Sequence, residues 1–140
     1  MDKIRRLLKL HEGVKSKPYK CTAGFLTIGV GHNIDAKPLS NEAINQILED
    51  DIEDALREVE MLSFWHDLDE VRQAVLIDMC FNLGFSGLRK FSKMLEALSF
   101  GDYVEAANQM MDSRWANQVG GRSKRLGKMM VSGNWCDEIN

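Results

Sequence analysis

Between residues 3 and 11, Ile4, Leu7, Leu8 and His11 fall at helical spacing, while Arg5, Arg6 and Lys9 turn away from them. The chain therefore opens on a short amphipathic helix, which Gly13 ends. From 13 to 33 the texture changes: Pro18, Gly24, Gly29, Gly31 and the phrase FLTIGVGH predict a hairpin or small three-stranded sheet, with its turn near Thr22, Ala23 and Gly24. A compact sheet carrying polar residues on short loops is a good place for a site.

Beyond Leu39 the period lengthens again. Ile44, Ile47, Leu48, Ile52, Ala55, Leu56, Val59 and Leu62 recur at three and four residues, which predicts one helix over 41–61, started by Ser40 or Asn41 and long enough to connect two lobes. From Leu68 to Phe81 the chain is apolar on most faces, through Val71, Ala74, Val75, Leu76, Ile77, Met79 and Cys80. That fits a central buried helix, closed by Gly84 and Gly87. Short helices follow over roughly 88–98, 102–112, 114–118 and 122–131, divided by Ser99-Phe100-Gly101 and Gly120-Gly121 and ended at Gly133. The pattern is α+β: a small sheet lobe over about 13–40, a connecting helix over about 41–61, and a helical lobe over 62–140 against which the helix of 1–12 packs. A chain of 140 residues suits one such domain.

Charge alters this picture more than composition does. Hydrophobic residues at 44% and charged residues at 28% exclude a disordered or fibrous chain. The net −3 hides a division: residues 1–32 carry seven Lys or Arg against two acids, 41–70 carry eleven acids against one Arg, and 114–140 carry five basic residues against two acids. Two basic ends around an acidic middle would let one side approach a polyanion; the plainer reading is solvated helix faces. The start MDKIRRLLKLHEG has neither the continuous apolar run of a secretory signal nor a spanning segment, so the chain is expected to stay in the cytoplasm unless something else releases it. Cys21, Cys80 and Cys136 are odd in number and lack CxxC spacing, which suggests free thiols. His11, His32 and His66 form no HxxxH pair, so no metal is expected.

Glu12 stands where the first helix meets glycine, directly before the sheet. A carboxyl partly desolvated at such a junction stays protonated and can donate to a leaving group; the alternative is a surface glutamate at a helix end. Gly29 and Gly31 are too closely spaced for a nucleotide loop and leave room for a ligand to approach the sheet. By pattern alone Thr27 is a strand former. Arg122, Lys124, Arg125 and Lys128 are the only case for nucleic-acid binding, and the acidic middle opposes a broad phosphate footprint.

The phrase over 10–33, LHEGVKSKPYKCTAGFLTIGVGHN, resembles the signature of the phage-type lysozymes, glycoside hydrolase family 24. That signature is a Glu, then Asp or Cys, then Thr, and Glu12, Cys21 and Thr27 stand at its spacing within a matching frame of Gly13, Tyr19, Gly24, Gly29, Gly31 and His32. Ser113-Arg114-Trp115-Ala116-Asn117-Gln118 with Arg122, and then Gly133-Asn134-Trp135, look like the family's C-terminal motifs.

The resemblance implies a lysozyme-like fold with a cleft between its lobes, and an endolysin that hydrolyses the bond between N-acetylmuramic acid and N-acetylglucosamine in bacterial peptidoglycan. It makes Glu12 the general acid, and Cys21 and Thr27 the residues that place the attacking water, with inversion at the anomeric centre. Well-studied members carry Asp where this chain has Cys21. A thiolate is a good nucleophile or modest base, and Lys20, Lys17 and Lys15 are the charges near enough in sequence to favour it. The resemblance also implies a structural pair of His32 with Asp51, Arg122 near Glu12, and Asn82 in the cleft where a larger member has Gln. Trp115 is read as core.

No cofactor is implied, nor stable membrane association. The expected partner is peptidoglycan, reached as a monomer once a separate holin-type protein permeabilises the membrane at lysis. The segment from Asn33 to Leu39 is shorter than in the larger members, which opens the cleft on that side. The rival reading is a wall-binding or structural protein on the same scaffold, which Cys21 and Asn82 make plausible and the retained Glu12 and Thr27 oppose.

Overall fold

The computed structural model describes residues 1–139. Helix α1 (Asp2–Glu12) ends where the Gly13 N–H donates to the Lys9 carbonyl. Strands β1 (Lys15–Lys20), β2 (Leu26–Gly29) and β3 (His32–Asn33) form one antiparallel sheet in that order. Tyr19 and Asn33 flank Thr27 on either side, and Lys15 pairs with Gly29. The ladder is irregular between Lys15 and Tyr19, the stretch containing Pro18, which has no N–H to give it.

Helix α2 (Asn41–Val59) starts as the sequence indicates: the Ser40 hydroxyl accepts from the Ala43 N–H at 3.1 Å. A short 3-10 turn at Trp65–Asp67 leads to α3 (Glu70–Arg89). Then come α4 (Ser92–Ser99), α5 (Tyr103–Met111), α6 (Arg114–Val119), α7 (Gly121–Ser132) and a last 3-10 turn at Asp137–Ile139. Asp69, Asp102 and Ser113 cap α3, α5 and α6, each accepting a backbone N–H of the first turn. Gly84, at φ 74°, interrupts α3 but does not close it; helical geometry resumes through Gly87 to Arg89. Residues 88 and 89 therefore belong to the end of α3, and the next helix starts at Ser92 and not near 88. A glycine that breaks a helix and a glycine that ends one carry the same local signal.

The fold divides into two compact units, Met1–Ile47 and the chain from Leu48 onward. Helix α1 groups with the sheet in the first, and α2 runs through the division. The apolar core belongs to the second unit, where Val75, Leu76, Met79, Leu88, Met94, Met110 and Met130 are fully buried. Its strongest polar fastening is Arg72 of α3. Its guanidinium donates to the carbonyls of Met130 (2.8 Å) and Val131 (2.9 Å) in the last turn of α7, pairs with Asp69 at 2.8 Å, and lies 3.6 Å over the Tyr103 ring. A cation at a helix C-terminus also complements its macrodipole. Among the described residues of the first unit, Thr27 is the only one fully buried. No described helix is long and apolar enough to cross a membrane.

Candidate active site

The first unit contains three of the expected residues: Glu12 as the last residue of α1, Cys21 just past β1, and Thr27 on the central strand β2. The turn between β1 and β2 is tight. The Cys21 N–H donates to the Phe25 carbonyl at 2.9 Å, and the Gly24 N–H donates to the Cys21 carbonyl at 2.8 Å. Asp35 pins the far side by accepting the Leu26 N–H at 2.6 Å.

This turn surrounds the Cys21 sulfur with donors. The Phe25 N–H holds the thiol below its ordinary pKa; partial burial opposes it, and the Ala23 N–H, the Thr27 hydroxyl and the Gly24 N–H add to the lowering. The lysines to which the sequence pointed are not the cause. The N–H groups of the turn are, because successive amides of a tight turn converge on an anion. Thr27 is 3% exposed, and its hydroxyl donates to the Phe25 carbonyl at 2.9 Å. Its one proton serves either that carbonyl or a Cys21 thiolate, and its oxygen still accepts.

Glu12 is exposed. Its carboxylate lies against Gly31: a methyl group on Gly31 would stand 2.7 Å from Oε2, 2.9 Å from Cδ and 3.0 Å from Cγ. A methyl on Gly29 would meet nothing within 4 Å. The two glycines, read alike in the sequence, therefore differ: Gly29 faces open space and Gly31 faces the acid. His32 Nε2 lies 3.1 Å from the Lys37 carbonyl oxygen, while Asp51 stands on α2 in the second unit.

The remaining expected residues belong to the second unit. Arg122 binds Asp78, Nε to Oδ1 at 2.7 Å, with a further bond to the Asp78 carbonyl at 3.3 Å. The pair borders a hollow of about 350 Å³ lined by Leu48, Ile52, Ile77 and Phe81. Asn82 Oδ1 accepts from Trp115 Nε1 at 2.8 Å, and Trp115 is 4% exposed, a core residue as its sequence context suggests. Sequence reasoning missed Asp78 and the donor role of Ala23, Gly24 and Phe25. A lone acid inside the apolar run LIDMCF was the available signal for the first; backbone donors leave no side-chain signal. Cys21, Cys80 and Cys136 are free thiols. Among the described residues no group of three His, Cys, Asp or Glu is placed to hold a metal.

A small antiparallel sheet in one unit and a many-helix core in the other make a two-part α+β fold of the lysozyme type. Residues 9–129 match the family described as Phage lysozyme, and the chain belongs to that family. It is accordingly an enzyme of the lysozyme class, a glycoside hydrolase. Over 160 residues it is 31% identical to the pre-baseplate central spike protein Gp5 of Enterobacteria phage T4, matching 94% of this chain but only 28% of the spike protein. It is 26% identical over 163 residues to Probable T4-type lysozyme 1 of Dictyostelium discoideum, covering 95% of this chain and 96% of that protein. It is 30% identical over 118 residues to the SAR-endolysin of Escherichia phage Mu, covering 82% and 67% respectively.

Proposed function

We propose that this chain is a muramidase that cuts peptidoglycan between N-acetylmuramic acid and N-acetylglucosamine, with Glu12 as general acid and with Cys21 and Thr27 holding the attacking water. The observation that carries this reading is the match of residues 9–129 to the phage lysozyme family, with Glu12, Cys21 and Thr27 held in one compact unit; the turn N–H groups that lower the Cys21 thiol pKa beside the buried Thr27 hydroxyl support it. In the step proposed, the bond from the anomeric carbon to the glycosidic oxygen breaks and that oxygen takes the proton of Glu12. The water oxygen bonds to the anomeric carbon from the opposite face, and its proton passes to the Cys21 thiolate. Thr27 accepts the water's second hydrogen, which fixes its direction of attack. Configuration inverts.

The same reading gives Gly29, where an added methyl would meet nothing within 4 Å, to the approach of the glycan toward the sheet. It makes the protein a monomer that acts on the wall after a holin-type protein opens the membrane.

The test is release of reducing ends from purified peptidoglycan, with products identified by mass. Wild type should leave muramic reducing ends, and Glu12→Gln should lose about 100- to 10,000-fold in rate. An unchanged rate for Cys21→Ser would remove the thiol from the mechanism. Folded wild type that sediments with several wall types but cuts none would make the chain a wall-binding protein instead.

A further inference from the structure

The geometry points to Gly31 as the positioning residue of the general acid: the space left by its missing side chain is the seat of the Glu12 carboxylate. This inference rests on Glu12 being the acid, as proposed above. Two observations bear on it separately. Gly31 has φ +65°, which residues with a Cβ other than Asn and Asp adopt only under strain. A Cβ there would also stand 2.7 to 3.0 Å from three atoms of Glu12, closer than non-bonded atoms sit. Glu12 and Gly31 lie in the same compact unit, so this approach is set within the small scaffold itself.

The other glycines separate strain from seat. Gly101, in the turn between α4 and α5, has φ +71° and nothing within 4 Å of an added methyl. An alanine there meets the same backbone strain and displaces nothing. At Gly31 the obstructing atoms belong to the far end of a flexible glutamate. The side chain will swing away, which costs the fold little and moves the proton donor off its line. Displacement of a catalytic group by about 1 Å is enough to cost about 100-fold in rate.

The experiment compares wild type, Glu12→Gln, Gly31→Ala and Gly101→Ala on two substrates. One is peptidoglycan. The other is the dinitrophenyl β-glycoside of an N-acetylglucosamine–N-acetylmuramic acid disaccharide, whose leaving group departs without a proton. Gly31→Ala should lose about 100-fold in kcat on peptidoglycan with KM little changed, and far less on the dinitrophenyl glycoside, the profile of Glu12→Gln. Gly101→Ala should show a similar fall in melting temperature and full activity. Gly31→Asn, which tolerates positive φ but carries the same Cβ, should reproduce the loss with less destabilisation and keeps the test open should the alanine variant not fold.

Equal losses on both substrates, or no loss on either, would overturn the role of Gly31 and leave Glu12 in place. A Glu12→Gln enzyme that cuts peptidoglycan at the wild-type rate would overturn the acid assignment, and this inference with it.

Discussion

Asn82 offers a direct choice between a substrate-binding and a structural role. Its Oδ1 is engaged at 2.8 Å by the indole N–H of Trp115, which is 4% exposed and meets Phe91 edge-on at 5.9 Å. In Asn82→Ala the indole loses its acceptor. A buried donor left unsatisfied costs about 1–3 kcal/mol. Asn82 is itself exposed, however, so water can enter the vacated position, and the loss should fall near the lower bound, about 1 kcal/mol. For a chain of this size that is a fall of about 4 °C in melting temperature. Urea unfolding of Asn82→Ala, Trp115→Phe and the double variant isolates the pair: once the indole N–H is gone, removing Asn82 should cost only a few tenths of a kcal/mol. KM for peptidoglycan should stay within about twofold in Asn82→Ala, since the oxygen it loses is turned to Trp115. A raised KM with stability unchanged would refute the structural assignment and restore Asn82 to the substrate.

Arg72→Ala removes two bonds to α7 carbonyls, an ion pair and a stacked ring from a side chain only 13% exposed, and should destabilise the helical unit by about 3 kcal/mol in urea; a loss below about 1 kcal/mol would show that α7 ends without it. Its partner Asp69 has a carboxyl pKa held below the ordinary value: burial pushes it upward, and the Arg72 guanidinium and N–H outweigh that. A lowered folded value means stability present above the unfolded carboxylate pKa and lost as pH falls through the folded one. Because Asp69 is 42% exposed, screening leaves a few tenths of a kcal/mol, so Asp69→Asn should differ from wild type near pH 7 and converge with it in acid below about pH 4. The thiols should also separate. Iodoacetamide should alkylate Cys21 at lower pH than an unfolded cysteine, while Cys80, raised by burial and by Glu58 and only 3% exposed, should react on unfolding; equal labelling of the two in the folded protein would count against the donor-lined turn.

What the sequence made legible follows from which forces leave a trace in residue identity. The break from period 3.6 to alternation after Gly13 and back again after Leu39 marks α1, the sheet and α2, because side chains return to the same face at those spacings in a helix and in a strand. The run from Val71 to Phe81 likewise marks the helix that supplies Val75, Leu76 and Met79 to the core. Helix limits near Gly84 and Ser92 were harder, since positive φ at Gly84 bends the chain without stopping it. The site divides in the same way. Glu12, Cys21 and Thr27 were visible as a spaced set, but the agents that act on them were not. Backbone N–H groups tune Cys21, and a missing Cβ makes room for Glu12. Neither has a side chain to read. The lysines beside Cys21 are conspicuous in the sequence, yet what lowers its pKa is the set of turn N–H groups and the Thr27 hydroxyl that touch the sulfur. At Cys21 a reading confined to charged side chains therefore assigns the effect to the wrong atoms.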